Sequence, residues 1–104
     1  MGIISERVDG NKAIIKIQGE LDIKYSHSFK DEVLQMIYDD IKEIKVDISE
    51  MDFIDSPGIG LFISASFALN KLGGELILYD PQMHIYDLLE ATQVTKYLKF
   101  QSKN

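Results

Sequence analysis

Two runs in which apolar and polar residues alternate, and a third short apolar run, are each followed by a segment of helical spacing. That order limits the chain to a fold of strands joined by helical crossovers. Ala13, Ile15 and Ile17 alternate with Ile14, Lys16 and Gln18, which predicts a strand with one face on a core. Ile3 to Val8 reads as its hairpin partner, with Asp9-Gly10-Asn11 as the turn. Phe29, Val33, Met36, Ile37 and Ile41 then recur at helical spacing, predicting a helix over 27–41 with Ser26 or Ser28 as N-cap. Ile44, Val46 and Ile48 form the second alternating strand, and Ser49 to Asp55 reads as a loop. Pro57 to Leu72 reads as a helix that stops at Gly73-Gly74, and its apolar residues nearly encircle it. Leu76 to Tyr79 is a further strand, after which Asp80-Pro81 has the order that opens a helix ending near Thr92. Val94 to Phe100 carries a short element of no assignable type. The expected architecture is one α/β domain over 1–104, with an antiparallel N-terminal hairpin leading into a parallel sheet.

Composition narrows the partners. The 104 residues carry 17 acidic and 11 basic side chains, a formal charge of −6. Such a surface repels a phosphate backbone and an anionic bilayer, so neither nucleic acid nor membrane is expected as a partner. No apolar run approaches the ~20 residues that cross a bilayer, and the N-terminus lacks the pattern of a signal peptide, so a cytoplasmic location is expected. The absence of cysteine removes thiol catalysis, disulfides and thiolate metal sites.

The segment richest in chemistry is Phe53-Ile54-Asp55-Ser56-Pro57-Gly58-Ile59-Gly60. Proline biases the residue before it toward extended dihedrals, those of an N-cap, so Ser56 is expected to cap the helix with the Gly58 and Ile59 N–H groups aimed at its oxygen. Free donors and the positive end of the helix dipole would also welcome a phosphate there. Two readings stay open on these residues: Ser56 as a cap alone, or Ser56 as a modifiable switch. An enzyme is not expected, because His27 and His84 lie at helix starts in no triad context. Nor do two isolated histidines and scattered carboxylates make a metal site. Gly58-x-Gly60 completes no nucleotide fingerprint, so no cofactor is expected. Asp31, Glu32, Asp39 and Asp40 read as a solvated helix face, and the tyrosines as half-buried packing residues.

Asp55-Ser56-x-Gly58-Ile59-Gly60 resembles the D-S-x-G-L-G phosphoacceptor motif, and Ile17-x-Gly19-Glu20-Leu21-Asp22 resembles the G-E-L-D element, of STAS domains of the anti-sigma factor antagonist type. The similarity runs from about residue 3 to 100 and includes Gly73-Gly74. It implies a mixed sheet of four to five strands packed with three to four helices. It further implies that Ser56 is phosphorylated by an anti-sigma factor serine kinase and restored by a metal-dependent serine phosphatase, the unphosphorylated form binding the kinase and freeing a sigma factor. By the same resemblance Asp22, Asp55, Ser56, Pro57, Gly58 and Ile59 form the partner-binding set, and the domain is a monomer or weak dimer. For the apolar residues of the 57–72 helix two readings stay open: Leu61 or Phe62 as an exposed part of the docking surface, or plain core packing on both sides. Pro57 departs from the serine, threonine or alanine usual there, Gln93 from a frequent glycine, and His27 from the usual contact surface. The alternative is a STAS scaffold or ligand-binding module that is never phosphorylated, a reading that Pro57 favours.

Overall fold

Strand β1 (Gly2–Asp9) pairs antiparallel with β2 (Lys12–Leu21), and β2 then lies parallel to β3 (Glu43–Ile54). β4 (Glu75–Tyr79) and β5 (Lys99–Gln101) continue the parallel arrangement, so the five strands stand in chain order β1-β2-β3-β4-β5. Three helices make the crossovers: α1 (Ile23–Tyr38), α2 (Ser56–Lys71) and α3 (Met83–Ala91), with a 3-10 turn at Thr95–Tyr97 before β5. The computed structural model describes residues 2–103. The mixed sheet, hairpin first and parallel after, is the architecture read from the sequence.

Alternation makes the core. Ile15 and Ile17 of β2, Ile44, Val46 and Ile48 of β3, and Leu76 and Leu78 of β4 are buried, and they meet Phe29, Val33 and Met36 of α1 and Phe62 and Leu69 of α2. Phe29 and Phe62 pack edge to face at 5.3 Å, locking the two helices together over the sheet. Intervening strand positions point to the other face, where Lys16 bonds Glu50 at 2.6 Å and Lys45 lies 4.6 Å over the Tyr79 ring.

Several boundaries differ from expectation, each for a local reason. α1 begins at Ile23 rather than near 27, because Asp22 stands at its N-cap: Asp22 Oδ1 accepts from the Tyr25 N–H at 3.3 Å and Asp22 O from the Ser26 N–H at 2.9 Å. Ser26 is therefore a buried residue of the first turn and not the cap. The helix ends at Tyr38 because Asp40 turns left-handed at φ 66°. The expected loop from Ser49 to Asp55 is strand as far as Ile54: β2 runs on beside it through two register shifts, with Gly19 at φ 85°, until Leu21 faces Ile54. α3 starts at Met83, not at Asp80-Pro81, since Asp80 adopts φ 55° and donates its N–H to Gln101 O at 2.7 Å in the β4–β5 connection. Residues 94–100 resolve into the 3-10 turn and the start of β5. Glu32 and Asp39 do more than face water, accepting hydrogen bonds from Ser5 at 2.6 Å and Arg7 at 2.8 Å, and Tyr38 is 86% exposed rather than half-buried.

Candidate functional site

Because β2, β3 and β4 are parallel and each feeds a helix, all three helices begin at one rim of the sheet, the end where open α/β sheets bind ligands. The pairing of Leu21 with Ile54 brings the Gly19–Asp22 and Phe53–Gly60 segments side by side there. The Asp55 N–H points at Leu21 O, 3.4 Å away, and Gly58 is buried against both strands. A Cβ on Gly58 would lie 2.9 Å from Leu21 O and 2.8 Å from Ile54 Cγ1, so only glycine lets α2 start this close to β2. Gly60 has open space around it and is exposed.

The cap of α2 is Asp55, which corrects the assignment to Ser56. Asp55 is extended at φ −104°, ψ 177°, and its Oδ1 accepts from the Gly58 N–H at 2.9 Å, while Asp55 O accepts from the Ile59 N–H at 3.0 Å. Both donors expected to face Ser56 are thus engaged by Asp55. Ser56 is the first helical residue and Pro57, which has no N–H, the second. Ser56 is exposed, and its hydroxyl has no hydrogen-bond partner among the described residues. A phosphate placed on it would find the Gly58 N–H already facing the Asp55 carboxylate and the Ile59 N–H the Asp55 carbonyl. Its charge would project outward from the surface.

Around this hydroxyl the rim is acidic. Asp22 and Asp55 cap neighbouring helices, and Glu20 and Asp52 are exposed beside them. His27 lies exposed on α1, away from any acid–base pairing among the described residues. His84 donates from Nε2 to Asp52 O at 2.8 Å, a structural bond that fixes the ring. No group of three metal-ligating side chains is formed among the described residues. Pro57 is exposed and Ile59 half-buried at the rim, and Leu61 is half-buried on α2. Phe62 is completely buried against Phe29, so the expectation that it extends an exposed surface is wrong. Gln82 escaped the sequence reading, since nothing in a lone glutamine after Asp80-Pro81 signals that its amide will reach Ser49 O, Met51 O and Asp52 Oδ1.

A family model for the STAS domain matches residues 3–103. The chain belongs to the STAS domain family. An anti-sigma-B factor antagonist of Staphylococcus aureus (strain NCTC 8325 / PS 47) is 31% identical to this STAS domain over 78 residues, 75% of this chain and 72% of that protein. Among solved structures, the anti-sigma factor antagonist SpoIIAA in its unphosphorylated form superposes with a TM-score of 0.82 at 20% identity, covering 99% of this chain and 90% of that one. The Bacillus cell fate determinant SpoIIAA in its phosphorylated form gives 0.78 at 19% identity, covering 98% and 93%. At these identities the superpositions establish the STAS fold.

Proposed function

We propose that this STAS domain is an anti-sigma factor antagonist switched by phosphorylation of Ser56. Unmodified, it binds an anti-sigma factor serine kinase through the rim formed by Asp22, Asp55, Ser56, Pro57, Gly58 and Ile59, and so frees a sigma factor. The kinase transfers phosphate to Ser56 and lets go, and a metal-dependent serine phosphatase resets the hydroxyl. The domain acts as a binding partner in the cytoplasm, monomeric or weakly dimeric, and performs no turnover itself. The observation that carries this reading is the exposed, unbonded Ser56 hydroxyl at the start of α2, beside the caps Asp22 and Asp55. The resemblance to anti-sigma-B factor antagonists supports it, as does the likeness to a protein solved in a phosphorylated form.

Electrostatics makes the switch sufficient without refolding. A phosphoserine carries about −1.5 to −2 charges at neutral pH. Against a partner carboxylate about 6 Å away, each unit costs roughly 3 kcal/mol at an effective dielectric near 20, which is about two decades of affinity. Helix-dipole attraction, at about 0.3–1 kcal/mol, does not offset that, and Asp55 already holds the Gly58 donor. Pro57 adds a demand on the kinase, which has to accept a serine followed by a residue with no N–H. An unphosphorylated STAS scaffold is the second reading, favoured by that same proline. Titration of Ser56→Ala and Ser56→Asp into the purified ADP-bound anti-sigma kinase separates the two. The alanine variant is expected to bind as the parent does and the aspartate variant about tenfold or more weakly, whereas equal affinities refute the switch.

A further inference from the structure

Away from the rim, α1 and α2 lie side by side over the sheet and leave a groove between them. Phe29 and Phe62 bring the two helices into contact, edge to face at 5.3 Å. Along the groove α1 offers Val33, Leu34 and Ile37, while α2 answers with Ala65 and Ala68, side chains too short to fill the space. The opening that remains has a volume of about 180 Å3 and an almost wholly apolar surface. Phe29, Val33 and Ala65 are buried beneath it, and Leu34, 52% exposed, stands at its edge. Such a groove favours a guest that takes its apolar surface out of water.

One residue lining the groove is charged. Lys30 precedes Val33, Leu34 and Ile37 by three, four and seven places, so it shares their helix face and lays its stem along the groove. No acidic residue stands three or four places from it on α1, and Lys30 joins no ion pair among the described residues. Asp31 and Glu32 follow it directly but fall on other faces of the helix, and Glu32 accepts from Ser5 at 2.6 Å. Apolar walls with one unneutralised cation at the edge complement an apolar chain that ends in an anion. An apolar cavity of about 150 Å3 suffices for a benzene-sized guest, so this one matches an unbranched chain of about six to eight carbons and is too small for a helix. A single ammonium answers a single negative charge, whereas a dianion such as a phosphate ester would meet the repulsion of a domain of net charge −6 with one partner only. We propose that the groove between α1 and α2 binds the chain of a medium-length aliphatic monocarboxylate, whose carboxylate pairs with Lys30. Leu61, the first α2 residue to line the groove, lies more than a turn beyond Ser56, so binding here requires no phosphorylation event.

The test is NMR titration of the isotope-labelled full chain with sodium butanoate, hexanoate and octanoate, and with hexanol and hexylammonium as neutral and cationic counterparts. Saturable shifts are expected at Val33, Leu34, Ile37, Ala65 and Ala68, with affinity rising about fourfold for each added methylene. Hexylammonium is expected to bind about tenfold more weakly than hexanoate, and Lys30→Gln to weaken hexanoate about fivefold while leaving hexanol unchanged. Ala68→Leu, which fills the groove from a half-buried position, is expected to abolish binding of all of them. Because Lys30 is exposed, its replacement keeps the test decisive if Ala68→Leu lowers stability. No saturable shift at these residues, or an affinity that ignores chain length, overturns the site. Equal binding of hexanoate and hexylammonium, or Lys30→Gln with the parent's affinity for hexanoate, overturns the anion assigned to it. Shifts at the same residues that follow protein concentration with no ligand present mean that a second copy of the chain covers the groove, which likewise overturns the proposal.

Discussion

At the scale of residues, the Asp55-Ser56 pair divides two roles that a sequence cannot separate. Either side chain is a good N-cap, and which one serves depends on where β3 stops. Pairing holds Ile54 against Leu21, so Asp55 is the first residue off the strand and takes the Gly58 N–H, leaving Ser56 one place into the helix with its hydroxyl unbonded. Asp55→Ala should therefore cost about 1 kcal/mol in denaturant unfolding, whereas Ser56→Ala should leave stability within about 0.5 kcal/mol. The two glycines of the motif should part in the same way. Gly58→Ala has to push Leu21 O and Ile54 aside and should destabilise by about 2 kcal/mol. Gly60→Ala meets open space within a helix and should stabilise by about 0.5–1 kcal/mol. The motif itself was legible because its residue types are distinctive, but Gln82 was not, since its reach depends on a tertiary neighbour.

At the scale of elements, all three helices end by one device. The residue after the C-cap turns left-handed at Asp40 (φ 66°), Gly73 (φ 81°) and Gln93 (φ 63°), and the following N–H reaches back to Met36 O, Leu69 O and Leu89 O. Only the Gly73-Gly74 stop was readable, since glycine advertises this geometry and aspartate or glutamine does not. Gly74 is needed for another reason as well, since a Cβ there would collide with the Lys42 carbonyl. Gln93→Gly should raise stability by about 1 kcal/mol, and Asp40→Gly by less, because aspartate tolerates the left-handed region and Asp40 also pairs with Lys42 at 3.2 Å. The strand from 44 to 48 was legible by alternation, while 49–54 was not, because two register shifts against β2 break the period. Surface pairs tie the hairpin and β3 to their neighbours. Hydrogen bonds from Arg7 and Gln35 hold the Asp39 carboxyl below the usual aspartate range, and those from Lys16 and Gln18 do the same for Glu50. Lowered folded values mean that this contribution is present above the unfolded carboxylate range and is lost as pH falls through the lowered values. NMR titration should show both midpoints depressed, with Arg7→Gln returning Asp39, and Lys16→Gln returning Glu50, toward the ordinary range. High salt should weaken the effect, since these groups are solvent-screened.

At the scale of the whole molecule, strand order does the work of assembly. The segments around Asp22 and Asp55 are far apart in sequence, and parallel pairing of β2 with β3 sets the starts of α1 and α2 side by side, with α3 clasped to the same rim by Gln82. That much followed from the strand–helix alternation, which reports topology even where it misplaces boundaries. Which apolar residues stay outside did not follow, since Phe53 and Phe62 look alike in sequence and only packing turns one outward and buries the other. The rim of an acidic domain then offers one exposed, unbonded hydroxyl beside the helix caps Asp22 and Asp55, the arrangement on which the proposed switch rests. Incubation of the chain with the anti-sigma kinase and ATP, followed by mass-spectrometric mapping, tests this most directly. A single phosphate on Ser56, absent from Ser56→Ala, is the expected result; no phosphate, or phosphate on another hydroxyl such as Ser64, would contradict the account.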